Sequence, residues 1–450
     1  MIVRRIESFG GVPYPDGNDN SEEFAAAFDF FKKNGGGVLQ VGKGIWKTGP
    51  LTLCSNIILE LEEDAVISFI PEPELYRPVK TRWEGVVCHA MHPCVFAAGE
   101  TNVTICGKGT IDGNGKNWWS LLAEKRKQGK PVAPIEKELA ALNPGYETQP
   151  GGGGGRNTQF LRPPLVQFYE CKDVKLLDVT LVNSPFWTIH PVFTESILIK
   201  NVSVVNPHDA PNTDGMDIDS CVNVVVEGCR ISVGDDGIAI KSGSGEDGIR
   251  INKPSRNINI CDCKVADGHG GVVFGSETAA GIENVRVENC VFDGTQRGIR
   301  LKTRRGRGGA VRHLEFRNLT MTNNLCPVAI NMFYCCGTNR NEPEFFSQEA
   351  LPVKKDTPSI KDIVISGITA SGCKASAGFI AGLPESPVEN VVIEDSVFEV
   401  DMASDVEPDV SDMYAGIPSC KEKSFRLINV KNIQFGDTSV KGPANAFLNQ

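Results

Sequence analysis

Apolar and polar residues alternate along this chain in short stretches, and each stretch ends on the same kind of residue. The unit reads apolar, any, apolar, any, turn residue, apolar. It recurs as VKLLDV, ILIKNV, VVVEGC, INICDC, VRVENC, LEFRNL, IVISGI and VVIEDS. Alternation with period two predicts strands with one buried face. The turn slot holds Asp178, Asn201, Gly228, Asp262, Asn289, Asn318, Gly367 and Asp395. Gly, Asn and Asp best tolerate a left-handed backbone, so the slot predicts a sharp bend at each strand end. Successive slots lie 23 to 34 residues apart, except for one gap of 49. A strand-rich unit with that period is one coil of a solenoid, and loops of unequal length absorb the differences.

Weaker copies at Asn56 to Leu61 and Val103 to Gly107 carry the repeat toward the N-terminus. The residue after the slot is Val179, Val202, Cys229, Cys263, Cys290, Leu319 and Ile368, a column of small to medium apolar side chains. A solenoid needs its ends capped. Asn20-Ser21-Glu22-Glu23, followed by Phe24, Ala27, Phe28 and Phe31 at helical spacing, predicts an N-terminal capping helix. The repeat breaks from about Asn117 to Pro164, a stretch that carries Trp118, Trp119 and Gly151 to Gly155. This is expected to be a long loop insertion, at about 117–164, in a single domain spanning 1–450. The turns after about Asp401 match the repeat poorly; they either cap the second end or contact another copy in a homo-oligomer.

Composition narrows the function. Apolar residues make up 40%, enough for a full core, and 47 Gly favour a turn-rich β architecture. The net charge of −10 argues against nucleic-acid and membrane partners, while a local basic patch still suits an anionic ligand. The 15 Cys lack paired metal-site spacing and are expected to be buried free thiols. Met1 to Glu7 is followed by no apolar run, so the expected location is cytoplasmic.

A second column carries chemistry. NTDGMDIDS, GDDGIAIKS, GHGGVVFGS and QRGIRLKT align on Gly215, Gly237, Gly271 and Gly298, at the period of the fold. In this register Asp214, Asp236, Gly270 and Arg297 share a slot, and Thr213, Asp235, His269 and Gln296 the slot before it. The outward positions that follow include Asp217 and Asp219, Ala239 and Lys241, and Arg300 and Lys302. Stacked strands lie about 4.8 Å apart, so three carboxyls, an imidazole and two cations form one strip. Crowded carboxyls are expected to hold one proton near neutral pH, which supplies an acid beside a base. The cations, within a basic run from Arg297 to Arg307, suit a sugar that bears a carboxylate. Each residue alone has an ordinary explanation as a turn or a solvated strand face; their occurrence in register does not. His190, in SPFWTIHPV, is read equally as a packed turn or part of a sugar pocket.

These segments resemble glycoside hydrolase family 28, the polygalacturonases. That family's NTD, GDD, GHG and R-x-K motifs stand here as Asn212-Thr213-Asp214, Gly234-Asp235-Asp236, Gly268-His269-Gly270 and Arg300-Leu301-Lys302. KTGPLTL, from Lys47 to Leu53, extends the likeness. The resemblance implies an all-β, right-handed parallel β-helix and an inverting hydrolase of α-1,4-linked galacturonate chains. It implies Asp235 as general acid, Asp214 and Asp236 as activators of the water, and His269 as tuner of the acid's proton. Arg300 and Lys302, with Asn212, would bind substrate, and no cofactor or metal is implied. GGVVFGSE, RGIRLKTRRGRGG and LRPPLVQFYEC look like the bacterial and plant-like branch, including exo-acting members. Galacturonic acid oligosaccharides or pectin are then the partners, and His190 and Glu277 are candidates to hold the terminal sugar. The competing readings are a rhamnogalacturonan or xylogalacturonan hydrolase, a calcium-dependent lyase, and a non-catalytic carbohydrate-binding solenoid.

Overall fold

All eight residues of the turn slot stand in the left-handed region, with φ between 49° and 69°. The strands that lead into them, such as Lys172–Leu177 and Ile282–Glu288, bury alternate apolar residues as the pattern requires. The computed structural model describes residues 1–128, 133–148, 162–338, 342–411 and 413–450. The Gly151 to Gly155 run lies outside the described residues. The fold is a right-handed parallel β-helix in which each coil contributes one strand to each of three parallel sheets. Within the described residues, contacts divide the chain into two units, 1–83 with 87–234, and 84–86 with 235–450.

In the first unit the repeat strands stack from Val3–Arg5 through Thr101–Gly107 to Val222–Glu227. The weak N-terminal copies are genuine coils, since Ile105 pairs with Leu59 on one side and Leu176 on the other. The helix Ser21–Lys33 forms with Phe24, Ala27, Phe28 and Phe31 buried, as expected. Its N-cap Asn20 does not cap with its side chain; Asn20 Oδ1 instead accepts from Val12 N–H at 2.8 Å. The expected loop insertion is largely helical where described, with helices Gly115–Gln128 and Pro134–Leu142. Trp118 is fully buried edge-on to Tyr76, and Lys125 pairs with Glu136 at 2.5 Å out of solvent. The signal of these two helices is the helical spacing of Trp118 with Leu122 and of Ile135 with Leu139, all buried, within a stretch that a strand repeat leaves unread.

In the second unit the sheets run on to Val430–Gly436, Ser439–Lys441 and Phe447–Asn449. The poorly matching turns after Asp401 therefore add a further coil to the repeat. Ile433, Phe435 and the left-handed Asp437 carry its pattern in a coil whose strand is half-exposed. A second left-handed column lies five residues before the first, at Asp173, Ser196, Asn223, Asn257, Asn284, His313, Asp362 and Asn390. Its amides bridge coils; Asn390 Nδ2 donates to Asp362 Oδ1 at 2.8 Å. The cysteines are free, and all but Cys106, Cys261 and Cys336 are buried. No helix among the described residues is long and apolar enough to cross a membrane.

Candidate active site

The chemistry of the second unit sits on the third sheet, on the adjacent strands Asp236–Lys241, Gly270–Gly275 and Arg297–Lys302. Their register is the one the glycine alignment predicts. Asp236 lies opposite Gly270, and Val273 and Gly275 lie opposite Arg300 and Lys302. Small residues on the middle strand let the cations reach across it. A side chain at Gly270 would come within 3.4 Å of Arg300 Cδ, and Gly275 carries nothing opposite Lys302. Arg300 Nη1 thus donates to Asp236 Oδ1 at 2.9 Å, and Lys302 Nζ to Asp236 Oδ2 at 2.5 Å. The Asp236 side chain is 1% exposed. Burial opposes its ionisation, but Lys302, Arg300 and Lys241 outweigh this and hold the carboxyl well below the ordinary range.

Asp235 is the more open of the pair, with 19% of its side chain exposed against 40% for His269. Gly268, at φ 83°, turns the chain so that His269 N–H donates to the Asp235 carbonyl at 2.8 Å. His269 Nδ1 also lies 2.9 Å from Asp235 Oδ1, which accepts the Asp236 N–H at 3.0 Å as well. Burial raises the Asp235 carboxyl, and repulsion from Asp236 adds to this. The His269 hydrogen bond and Lys302 outweigh both, so the group ends below its ordinary value. For Asp235 and Asp236 the crowding is therefore offset, because Lys302 and Arg300 favour the Asp236 anion and the His269 hydrogen bond favours the Asp235 anion. Asp235, Asp236 and His269 bring ligand atoms within 4.8 Å of one another, a spacing a metal ion can use. Both oxygens of Asp236 already bind cations, which opposes a further positive charge there.

Sequence reasoning missed one neighbour, Tyr334, and placed a second, Lys241, on the outward face without a role. Tyr334 is buried with its ring 5.7 Å from the Arg300 guanidinium and 5.5 Å from Lys302 Nζ. Lys241, two residues beyond Ala239 on the same face, donates to Glu277 Oε2 at 3.0 Å. Glu277 is buried, which raises its carboxyl, but Lys241 and Arg307 bring it down to about 2. Glu277 is thus an ionised internal partner for the cations of this sheet. The basic run from Arg297 to Arg307 is buried throughout, and part of it is structural. Arg297 donates to Gln296 Oε1 at 2.7 Å, and Arg305 grips Glu385 at 2.6 and 2.8 Å.

The first unit holds the remaining candidates. Asp214 is buried, and its carbonyl accepts from Thr188 N–H at 2.9 Å. Asn212 is left-handed at φ 55°, and its Oδ1 accepts from Arg162 Nη2 at 2.9 Å. His190 is 1% exposed; Gln167 Nε2 lies 2.7 Å from its Nδ1, and Asp219 Oδ2 lies 3.8 Å from its Nε2. Trp187 meets the imidazole edge-on at 4.8 Å. Asp219 in turn accepts from Arg82 Nη1 at 2.9 Å, and both side chains are fully buried. Arg82 and Asp219 stand 137 positions apart, and no local pattern links them.

Residues 149–407 match the family model described as glycosyl hydrolases family 28. The chain belongs to glycosyl hydrolases family 28. Among family relatives, a probable polygalacturonase of Vitis vinifera is 32% identical over 70% of this chain, and the match spans 60% of the grape protein. An endo-polygalacturonase of Pectobacterium carotovorum subsp. carotovorum is 29% identical over 71% of this chain and 73% of its own. The crystal structure of a hyperthermoactive exopolygalacturonase from Thermotoga maritima superposes with a TM-score of 0.76 at 30% identity, covering 100% of this chain and 92% of that one.

Proposed function

We propose that this family 28 chain is an exo-acting polygalacturonase, an inverting hydrolase of α-1,4-linked galacturonate chains that takes oligogalacturonides. The observation that carries this is the hydrogen-bonded Asp235–His269 pair beside an Asp236 held ionised by Arg300 and Lys302. In this reading Asp235 protonates the glycosidic oxygen as the bond from C1 breaks. Asp214 and Asp236 take a proton from the water whose oxygen bonds to C1 from the opposite face. Asp235 needs a proton at that moment, although His269 favours its anion in the free site. A bound uronate supplies the change: it brings negative charge and displaces water, and both raise a carboxyl. Arg300 and Lys302 meet substrate carboxylates, and Asn212 and His190 support the sugar-binding side of the first unit. Glu277 acts as the buried ion-pair partner of Lys241.

Two features support exo action. The likeness to the Thermotoga maritima exopolygalacturonase runs the whole length of this chain. An exo-enzyme also needs chain that leaves the repeat to close the substrate path at one end. The helices Gly115–Gln128 and Pro134–Leu142 are our candidates for that closure. Endo action is the second reading, favoured by the Pectobacterium relative. The test is a time course of products from tetragalacturonate in heavy-oxygen water, resolved by mass spectrometry. Early monomer and trimer with the label support exo-hydrolysis. Early dimer turns the assignment to internal cutting, and unsaturated products exclude hydrolysis.

A further inference from the structure

A further cation, Arg304, lies two residues beyond Lys302, just past the end of the strand Arg297–Lys302. Arg304 is 7% exposed, yet among the described residues it forms no ion pair, and its Nε has no hydrogen-bond partner. Its one hydrogen bond is long, from Nη1 to the Arg305 carbonyl at 3.4 Å. The guanidinium lies over the Phe345 ring at 4.9 Å, which leaves its edge as the polar part. Arg305 beside it is different, because Glu385 accepts two of its N–H groups. Burial and the neighbouring Arg307 work against the charge on Arg304; Glu342 favours it but accepts from Thr338 Oγ1 at 3.1 Å. Tyr334, which packs on Arg300 and Lys302, is also close enough to act on Arg304. A buried, stacked and incompletely paired guanidinium fits a planar carboxylate in its two-pronged geometry.

We propose that Arg304 binds a second substrate carboxylate, that of a sugar beyond the one met by Arg300 and Lys302, and so selects for consecutive uronates. This rests on the galacturonan reading. The test compares wild type, Arg304→Gln and Arg304→Lys on trigalacturonate at several salt concentrations, with melting temperature as the check on folding. Expected for Arg304→Gln is a KM raised about tenfold or more, the size of one charge-assisted contact, with kcat within about twofold. Its KM should also depend less on salt, because one ionic contact is gone. Arg304→Lys keeps the charge and loses the fork, so its KM should lie between the two; it also serves if Arg304→Gln fails to fold. An unchanged KM in both variants overturns the Arg304 assignment alone. So does a raised KM with the wild-type salt dependence, which would mean that Arg304 only packs. A wild type that leaves trigalacturonate intact overturns the polygalacturonase reading itself.

Discussion

Asp235→Asn lowers kcat on galacturonate oligomers by about 10²- to 10⁴-fold, the usual contribution of a positioned acid. The amide oxygen can still accept from the Asp236 N–H, and the amide can pair with His269 Nδ1 in either tautomer, so the local geometry has no reason to change. Trigalacturonate binding, measured by titration calorimetry, should therefore persist while steady-state turnover collapses. Retained turnover would remove Asp235 from the chemistry and leave the His269 contact a structural one.

Asp236→Ala has its largest effect on stability. Arg300 and Lys302 both give a hydrogen bond to this carboxylate, out of solvent. Deleting it leaves two buried cations without their partner, a loss of about 3–5 kcal/mol for breaking a buried ion pair. Urea unfolding at neutral pH should show it as a lower midpoint. Because the folded-state carboxyl lies below its ordinary value of 3.8, its contribution is full above that value and fades as pH falls below it. The gap between wild type and Asp236→Ala should therefore be widest near neutrality and narrow only in strong acid. An equal midpoint at pH 7 would mean that the cations find other partners.

The coils were legible because their chemistry is local. A left-handed bend tolerates few residue types, and Asp178, Asn289 and Gly367 advertise it by identity. The companion column five residues upstream was equally regular but harder to read. It mixes Ser196 and His313 with Asn, and these residues also occupy ordinary strands. Asp235, Asp236, His269, Arg300 and Lys302 were legible because parallel stacking conserves register, so sequence period becomes spatial neighbourhood. Partners that arrive from elsewhere were not. Arg82 reaches Asp219 from a strand outside the repeat, and Tyr334 covers Arg300 and Lys302 from beyond the strand Cys326–Asn331. The electrostatic error has the same origin. Counting carboxyls in a strip predicted a trapped proton, but for Asp236 the sign was set by how far Arg300 and Lys302 reach over the strand between, and for Asp235 by the hydrogen bond from His269.

The anomeric form of the first product tests the account most directly. Proton magnetic resonance during the first minutes of trigalacturonate cleavage reads it before the anomers equilibrate. Attack by water opposite an α-linkage, with Asp235 as acid and Asp214 and Asp236 as base, predicts that the β-anomer appears first. Initial release of the α-anomer would mean a covalent intermediate on one of these carboxyls and would contradict the assigned roles.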